Sequence, residues 1–386
     1  MMMDIPYQTA FQEITWREGI MLGVGLLFIY LAIGKRWEPY VLLSVGVGII
    51  LANIPLTGLL NEPDPSQGPA YAGLLGLLRH YGIFYFTVLP QLIFLGLGAM
   101  TDFSPLIANP KGFILGAAAQ LGIFCAFAGA LALGYWGITD FGLKEASAIA
   151  IIGGADGPTT IYTTAKLSPG LLGITAATAY SYMAMVALIQ PPIIRALTSK
   201  EERAIYMKPQ LREVSKLELI VFPIFLLIMV CLLVPDAAPL IGMFAFGNLI
   251  RVSGVVERLS ETAQTVFVDI ITILLMLGVG SAMTADVIIK KDTLIILGLG
   301  LFAFATSTAG GVLMGKLISR FSKEPFNPVI GAAGVSAVPM AARVAHIEGQ
   351  KANPRNFLLL HAMGPNVAGV VGSAVVAGVF LGMLED

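Results

Sequence analysis

Charge is what this sequence has least of. Only 12% of its 386 residues are Asp, Glu, Lys or Arg, against roughly 25% in ordinary soluble domains. A soluble fold of this length would have too little polar surface to cover itself. The net charge of -1 leaves no basic excess for nucleic acid. Cysteine is nearly absent too. Cys125 and Cys231 both lie inside apolar runs, so they read as buried free thiols and exclude a disulfide framework or a thiolate metal site. The three histidines, His80, His346 and His361, show no metal-ligand spacing. No basic stretch followed by an apolar core opens the chain, so a cleaved signal peptide is not expected.

What is present is apolar sequence and glycine. Hydrophobic residues make up 56% of the chain and glycine accounts for 43 positions, and glycine is commoner in membrane helices than in soluble ones. A span needs about 20 apolar residues. Charge-free runs occupy 19–34, 40–61, 81–101, 112–139, 167–194, 219–235, 237–250, 270–285, 293–315, 325–342 and 356–384, and a further run, 146–165, is interrupted by Asp156.

The two halves share landmarks. Leu95-Gly-Leu-Gly-Ala-Met-Thr101 has a counterpart in Leu277-Gly-Val-Gly-Ser-Ala-Met-Thr284. A long apolar segment follows each, and then a glycine-rich stretch broken at a proline: Gly153 to Pro158 in one half, Gly334 to Pro339 in the other. A polar residue, Tyr182 or Asn366, comes 24 or 27 residues after each proline. This order fits the duplicated halves of secondary transporters, with repeats at 1–200 and 201–386 and an ion site between them.

Basic residues set the orientation. The loop 195–216 carries Arg195, Lys200, Arg203, Lys208, Arg212 and Lys216 and is the cytoplasmic candidate. The count closes if 146–165 and 325–345 are re-entrant, so that each half crosses five times and the second is inverted. Lys290 and Lys291 then fall outside, against the rule. The expectation is an all-α polytopic membrane protein with about ten spanning helices in two inverted repeats, each with one broken or re-entrant segment, suited to an elevator or rocking motion.

Pro158 and Pro339 interrupt helical hydrogen bonding, and unpaired backbone is tolerated at membrane depth only around protein or water-filled cavities. A carboxylate there costs roughly 2.5–3.5 kcal/mol on insertion scales, so Asp156 calls for a cation or proton. Asn327, Ser336 and Asn366 add neutral oxygens, and one carboxylate with neutral oxygens suits a hard cation such as Na⁺. Arg343 follows the second break as counter-charge, anion contact or cytoplasmic anchor. Asn327 and Asn366 also suit helix caps, and Tyr182 an interfacial belt.

Ile152-Gly-Gly-Ala-Asp-Gly-Pro-Thr159, Asn327-Pro-Val-Ile-Gly331 running on through Ser336 to Arg343, and Gly364-Pro-Asn-Val-Ala-Gly369 resemble the motifs of the membrane β subunit of the sodium-pumping biotin-dependent decarboxylases. The resemblance runs from about residue 20 to 383. It implies decarboxylation of carboxybiotin, delivered on a separate biotin carrier, with proton uptake and Na⁺ export. Partners would be the carrier, a carboxyltransferase subunit and a small membrane subunit, in an oligomeric complex of the bacterial inner membrane. By motif, Asp156 is the Na⁺ and proton site; Asn327, Ser336, Tyr182 and Asn366 are ion ligands or pocket groups; Gly331 allows close backbone approach; Arg343 lies on the carboxybiotin side. A Na⁺-coupled carrier of a small carboxylate needs the same midplane site, and a non-transporting membrane anchor is the third reading.

Overall fold

The computed structural model describes residues 8–67, 71–208 and 212–385, and every regular element among them is helical. The first half contains α1 (Trp16–Gly34), α2 (Pro39–Ala52), α3 (Val88–Met100), α4 (Lys111–Tyr135), α5 (Leu143–Ala150), α6 (Gly157–Leu167), α7 (Pro169–Ala184) and α8 (Val186–Leu197). The second contains α9 (Lys216–Leu233), α10 (Ala238–Ser253), α11 (Glu257–Ser281), α12 (Lys291–Phe321), α13 (Met340–Ala352) and α14 (Leu359–Leu384).

Among the described residues, α1, α4, α9, α11, α12 and α14 are each long and apolar enough to cross a membrane, and two bent pairs bring the total to eight. The chain is thus a polytopic helical membrane protein. The apolar run 81–101 is not one straight helix: Leu74–Tyr85 and α3 meet at 73°, with Thr87 left-handed at the corner. The run 167–194 likewise bends by 66° between α7 and α8. Neither corner contains the glycine or proline that would mark it in sequence.

Capping residues fix the start of α9. Ser215 accepts from the Glu218 amide at 3.3 Å, and Glu218 accepts from the Ser215 amide at 2.9 Å, satisfying two donors that a helix start leaves free. Two buried asparagines tie the halves together. Asn53, following α2, donates to the Met283 carbonyl at 3.0 Å and accepts from the Ala285 amide at 2.9 Å. Asn248 on α10 donates to the Gly98 and Thr101 carbonyls at 3.2 and 2.7 Å. Each asparagine therefore braces the end of a Gly-rich Met-Thr helix from the other half, where the last carbonyls lack helical partners.

The break in 146–165 is made differently from expectation. After α5 the chain tightens over 151–154, turns left-handed at Ala155 and restarts at Asp156. Pro158 occupies the first turn of α6, where its missing N–H costs nothing. In the second half, 328–334 forms a tight turn, and α13 starts after Pro339.

Candidate functional site

The two breaks meet. The Ser336 amide donates to the Gly154 carbonyl at 2.9 Å, so the extended residues after one tight turn lie against the end of the other. Asp156 is at this junction and is 4% exposed. It caps α6 through Oδ1, which accepts from the Thr159 amide at 3.1 Å. Its Oδ2 accepts from the Ser373 hydroxyl at 2.7 Å, and Ser373 Oγ is 3.1 Å from Ser336 Oγ. A carboxylate of one half is thereby linked through two hydroxyls to the break of the other.

Other oxygens here have no partner. Thr159 Oγ1, Tyr180 Oη, Gln120 Oε1 and Asn366 Oδ1 are buried without a hydrogen bond. Unpaired buried polar atoms are rare and call for an explanation such as an ion. Asn366 donates from Nδ2 to the Ala333 and Val335 carbonyls at 3.0 and 2.6 Å, which holds it beside Ser336 and leaves its carbonyl oxygen free. Gln120, where α4 slips, donates to the Gly369 carbonyl at 3.4 Å.

Asp156, Tyr180 and Ser336 line a cavity of about 320 Å³ whose other walls are mostly apolar, among them Ile93, Met276 and Val370. Gly157 lies directly under the Tyr180 ring, where a Cβ would overlap it. Among the described residues no group of three or more His, Cys, Asp or Glu gathers to hold a metal ion. The donor set at Asp156 is one carboxylate with neutral oxygens, which is hard-cation chemistry.

Asp156, Ser336 and Asn366 come together as the sequence suggests; three other expected residues lie elsewhere. The Tyr182 hydroxyl donates to the Leu297 carbonyl of α12. At 100° per residue, Tyr180 and Tyr182 face roughly opposite sides of α7, and Tyr180 is the one beside Asp156. Asn327 donates to the Arg203 and Ile205 carbonyls at 2.9 Å each and accepts from the Val329 amide at 3.0 Å. Its amide is committed to the loop between the halves instead of to the cavity. Arg343 is exposed, one turn beyond Pro339, which lines the cavity. It acts on Glu38, one turn before the lining residue Val41. Partial burial pushes the Glu38 carboxyl above the usual range, and Arg343 offsets part of that. Gly331 packs against the backbone of Gly311, with no room for a side chain.

Ser373 and Tyr180 escaped the sequence reading. Ser373 carried a signal: it is polar, inside an apolar run, and two turns from Asn366 on the same helix face. Tyr180 carried only its place in a run with Tyr182, which helix rotation alone resolves.

Residues 17–384 match the model of the Na⁺-transporting oxaloacetate decarboxylase beta subunit family. The chain belongs to this family. It is 52% identical to the methylmalonyl-CoA decarboxylase subunit beta of Propionigenium modestum, over 99% of this chain and 98% of the relative. It is also 52% identical to the oxaloacetate decarboxylase beta chain of Klebsiella pneumoniae, over 94% of both. The glutaconyl-CoA decarboxylase subunit beta of Acidaminococcus fermentans is 52% identical, over 97% of this chain and 96% of the relative. Relatives equally similar to this chain over nearly its whole length are thus named for decarboxylases of different substrates.

Proposed function

We propose that this chain is the membrane subunit of a sodium ion-translocating decarboxylase, a multi-pass protein of the bacterial cytoplasmic membrane that decarboxylates carboxybiotin with proton uptake and couples this to Na⁺ export. The observation that carries the reading is the buried Asp156 carboxylate, held by Ser373 and linked to Ser336 where the two breaks cross. Asp156, Ser336, Ser373 and the free oxygens of Thr159 and Asn366 form the Na⁺ site. Moving one cation outward against the potential costs about 2.3 kcal/mol per 100 mV. A buried carboxylate can be relieved of its bare charge either by a bound cation such as Na⁺ or by a proton. Alternation of the two at Asp156 therefore couples proton uptake to ion release without a bare charge in the membrane.

Carboxybiotin, when delivered on a separate biotin carrier, supplies a carboxyl group whose loss as CO₂ leaves a ring nitrogen to be protonated. The 320 Å³ cavity has room for a small bicyclic ring, and its apolar walls beside Asp156 suit one. Tyr180, Asp156 and Ser336 are among the groups of that cavity whose oxygens can carry a proton. Arg343, near its mouth, is the cation that would receive a carboxylate. A carboxyltransferase subunit and a small membrane subunit complete an oligomeric complex.

The architecture we assign is about ten crossings in two inverted repeats, 1–200 and 201–386, each with one re-entrant break. The bracing by Asn53 and Asn248 supports it, because each asparagine donates to carbonyls at the end of the matching Gly-rich Met-Thr helix in the other half. Such a pair of bodies around one site suits an elevator motion.

The test is Asp156→Asn in the purified complex reconstituted in proteoliposomes. Avidin-sensitive, Na⁺-stimulated decarboxylation and Na⁺ uptake should both vanish. Na⁺ movement that persists at the wild-type rate would remove Asp156 from the path. Na⁺-coupled carboxylate uptake without any avidin sensitivity would instead make the chain a carrier.

A further inference from the structure

A second cavity, away from Asp156, lies at the membrane face that carries most of the basic residues. It encloses about 610 Å³ and is lined by Lys111, Lys208, Arg212, Tyr206 and His361, with one carboxylate, Glu324, among them. The elements that build it all end at this face: Lys111 opens α4, Lys216 opens α9 beside Arg212, and Ser322 follows α12. By the positive-inside rule this is the cytoplasmic face.

Its polar groups are arranged for a ligand. Lys111 Nζ donates to Ser322 Oγ at 3.1 Å and lies 5.7 Å from the Phe326 ring centroid, so among the described residues it is held in place by a hydroxyl and a ring and not by a carboxylate. Lys208 is exposed. Arg212 is paired with Glu218 at 2.7 Å and reaches the Ile107 carbonyl at 3.3 Å. His361 is 8% exposed, its Nε2 is 2.8 Å from the Lys208 carbonyl, and its Nδ1 is buried without a partner. With Nε2–H donating to that carbonyl, neutral Nδ1 is an acceptor waiting for a donor.

Arg212 also bonds to two residues, Ile107 and Glu218, that line a third depression of about 320 Å³ together with Leu217, Val221, Phe222 and Phe225 of α9. That helix is only 11% buried over its apolar window. Arg212 thus stands between the basic cavity and an adjoining, mostly apolar groove on a helix that the rest of the chain leaves largely uncovered.

We propose that the two depressions together hold one anionic phospholipid of the cytoplasmic leaflet whose headgroup carries a free hydroxyl, the chemistry of phosphatidylglycerol. Its phosphate lies among Lys111, Lys208 and Arg212. The headgroup hydroxyl donates to His361 Nδ1. One acyl chain follows Val221 and Phe225. Basic pockets between helices on the cytoplasmic side are where anionic headgroups bind. A partner helix on the same groove would leave the phosphate cavity and His361 Nδ1 unused, which favours the lipid. The site is independent of the ion path through Asp156.

The experiment is native mass spectrometry of the full chain, purified with its membrane partners and titrated with phosphatidylglycerol, phosphatidylcholine or glycerol phosphate. One phosphatidylglycerol should bind, and phosphatidylcholine should not. The double variant Lys111→Gln/Lys208→Gln should bind phosphatidylglycerol about 25-fold more weakly, roughly fivefold for each charge removed. Val221→Ser/Phe225→Ala should weaken phosphatidylglycerol while leaving the basic cavity intact. Both double variants change exposed or half-exposed side chains, and an unchanged melting temperature confirms their fold. Equal binding of phosphatidylcholine overturns the proposal. So does glycerol phosphate binding as tightly as the lipid, which would make this a soluble-anion site, or a partner subunit that masks the groove and abolishes lipid binding.

Discussion

The Ser336 amide donates to the Gly154 carbonyl across two segments whose residues are more than 180 positions apart. Both groups lie where each segment has left its helix, so each supplies the other with a partner that its own backbone lacks. The same contact brings Ser336 within reach of Ser373 and Asp156.

Ser373 is the sharpest test of that arrangement. Its hydroxyl serves Asp156 and touches Ser336. A hydrogen bond to a charged group is worth about 1.5–3 kcal/mol. Ser373→Ala should therefore raise the Na⁺ concentration for half-maximal decarboxylation at least about tenfold. An unchanged Na⁺ dependence would show that the hydroxyl has no part in the ion site.

Gly157 and Tyr180 form a second test. A methyl group at Gly157 would overlap the Tyr180 ring, and overpacking of this kind costs about 1–3 kcal/mol. Gly157→Ala should lower both the melting temperature and the turnover rate. Gly170→Ala, where the added methyl meets open space, is the matched control and should change neither. Equal behaviour of the two variants would contradict the packing described.

Removal of either bracing asparagine leaves buried carbonyls without donors, at about 1–3 kcal/mol. Asn53→Ala and Asn248→Ala should each lower the melting temperature in detergent, with little effect on the Na⁺ requirement of the protein that remains folded. A variant that kept its melting temperature would show that its asparagine braces nothing.

Glu38 gives a pH signature. Its folded-state pKa is raised, chiefly by burial, so its stabilising contribution is full below the ordinary carboxylate range and is lost as pH rises through the raised value. Glu38→Gln, which mimics the neutral form, should be more stable relative to wild type at pH 8 than at pH 4. Melting curves at the two pH values check this, and a difference of the opposite sign would refute it.

Much of this was readable in advance because membrane sequence is strict. Charge-free runs marked the helices, and Asp156 stood out as an acid in an apolar run. The glycine-rich stretches at 153–158 and 334–339 marked both breaks, although the turn came at Ala155 and not at Pro158. What escaped depends on packing. Rotation of α7 decides between Tyr180 and Tyr182, and no periodicity in that apolar helix reports it. Asn327 looks like a ligand until the loop carbonyls of Arg203 and Ile205 are seen to occupy it. The corners at Thr87 and between α7 and α8 involve no residue that demands a turn.

The bracing asparagines also bear on how the chain is made. The partners of Asn53 at Met283 and Ala285 lie 230 and 232 residues further on. At about 5–20 residues per second, a newly inserted first half waits tens of seconds for the backbone that satisfies it. During that interval a polar amide stands in the bilayer half-paired, with only the carbonyl of Ile49 to occupy it. A nascent chain stalled before residue 283 therefore keeps the first half without the backbone partners that its buried asparagine is built to meet.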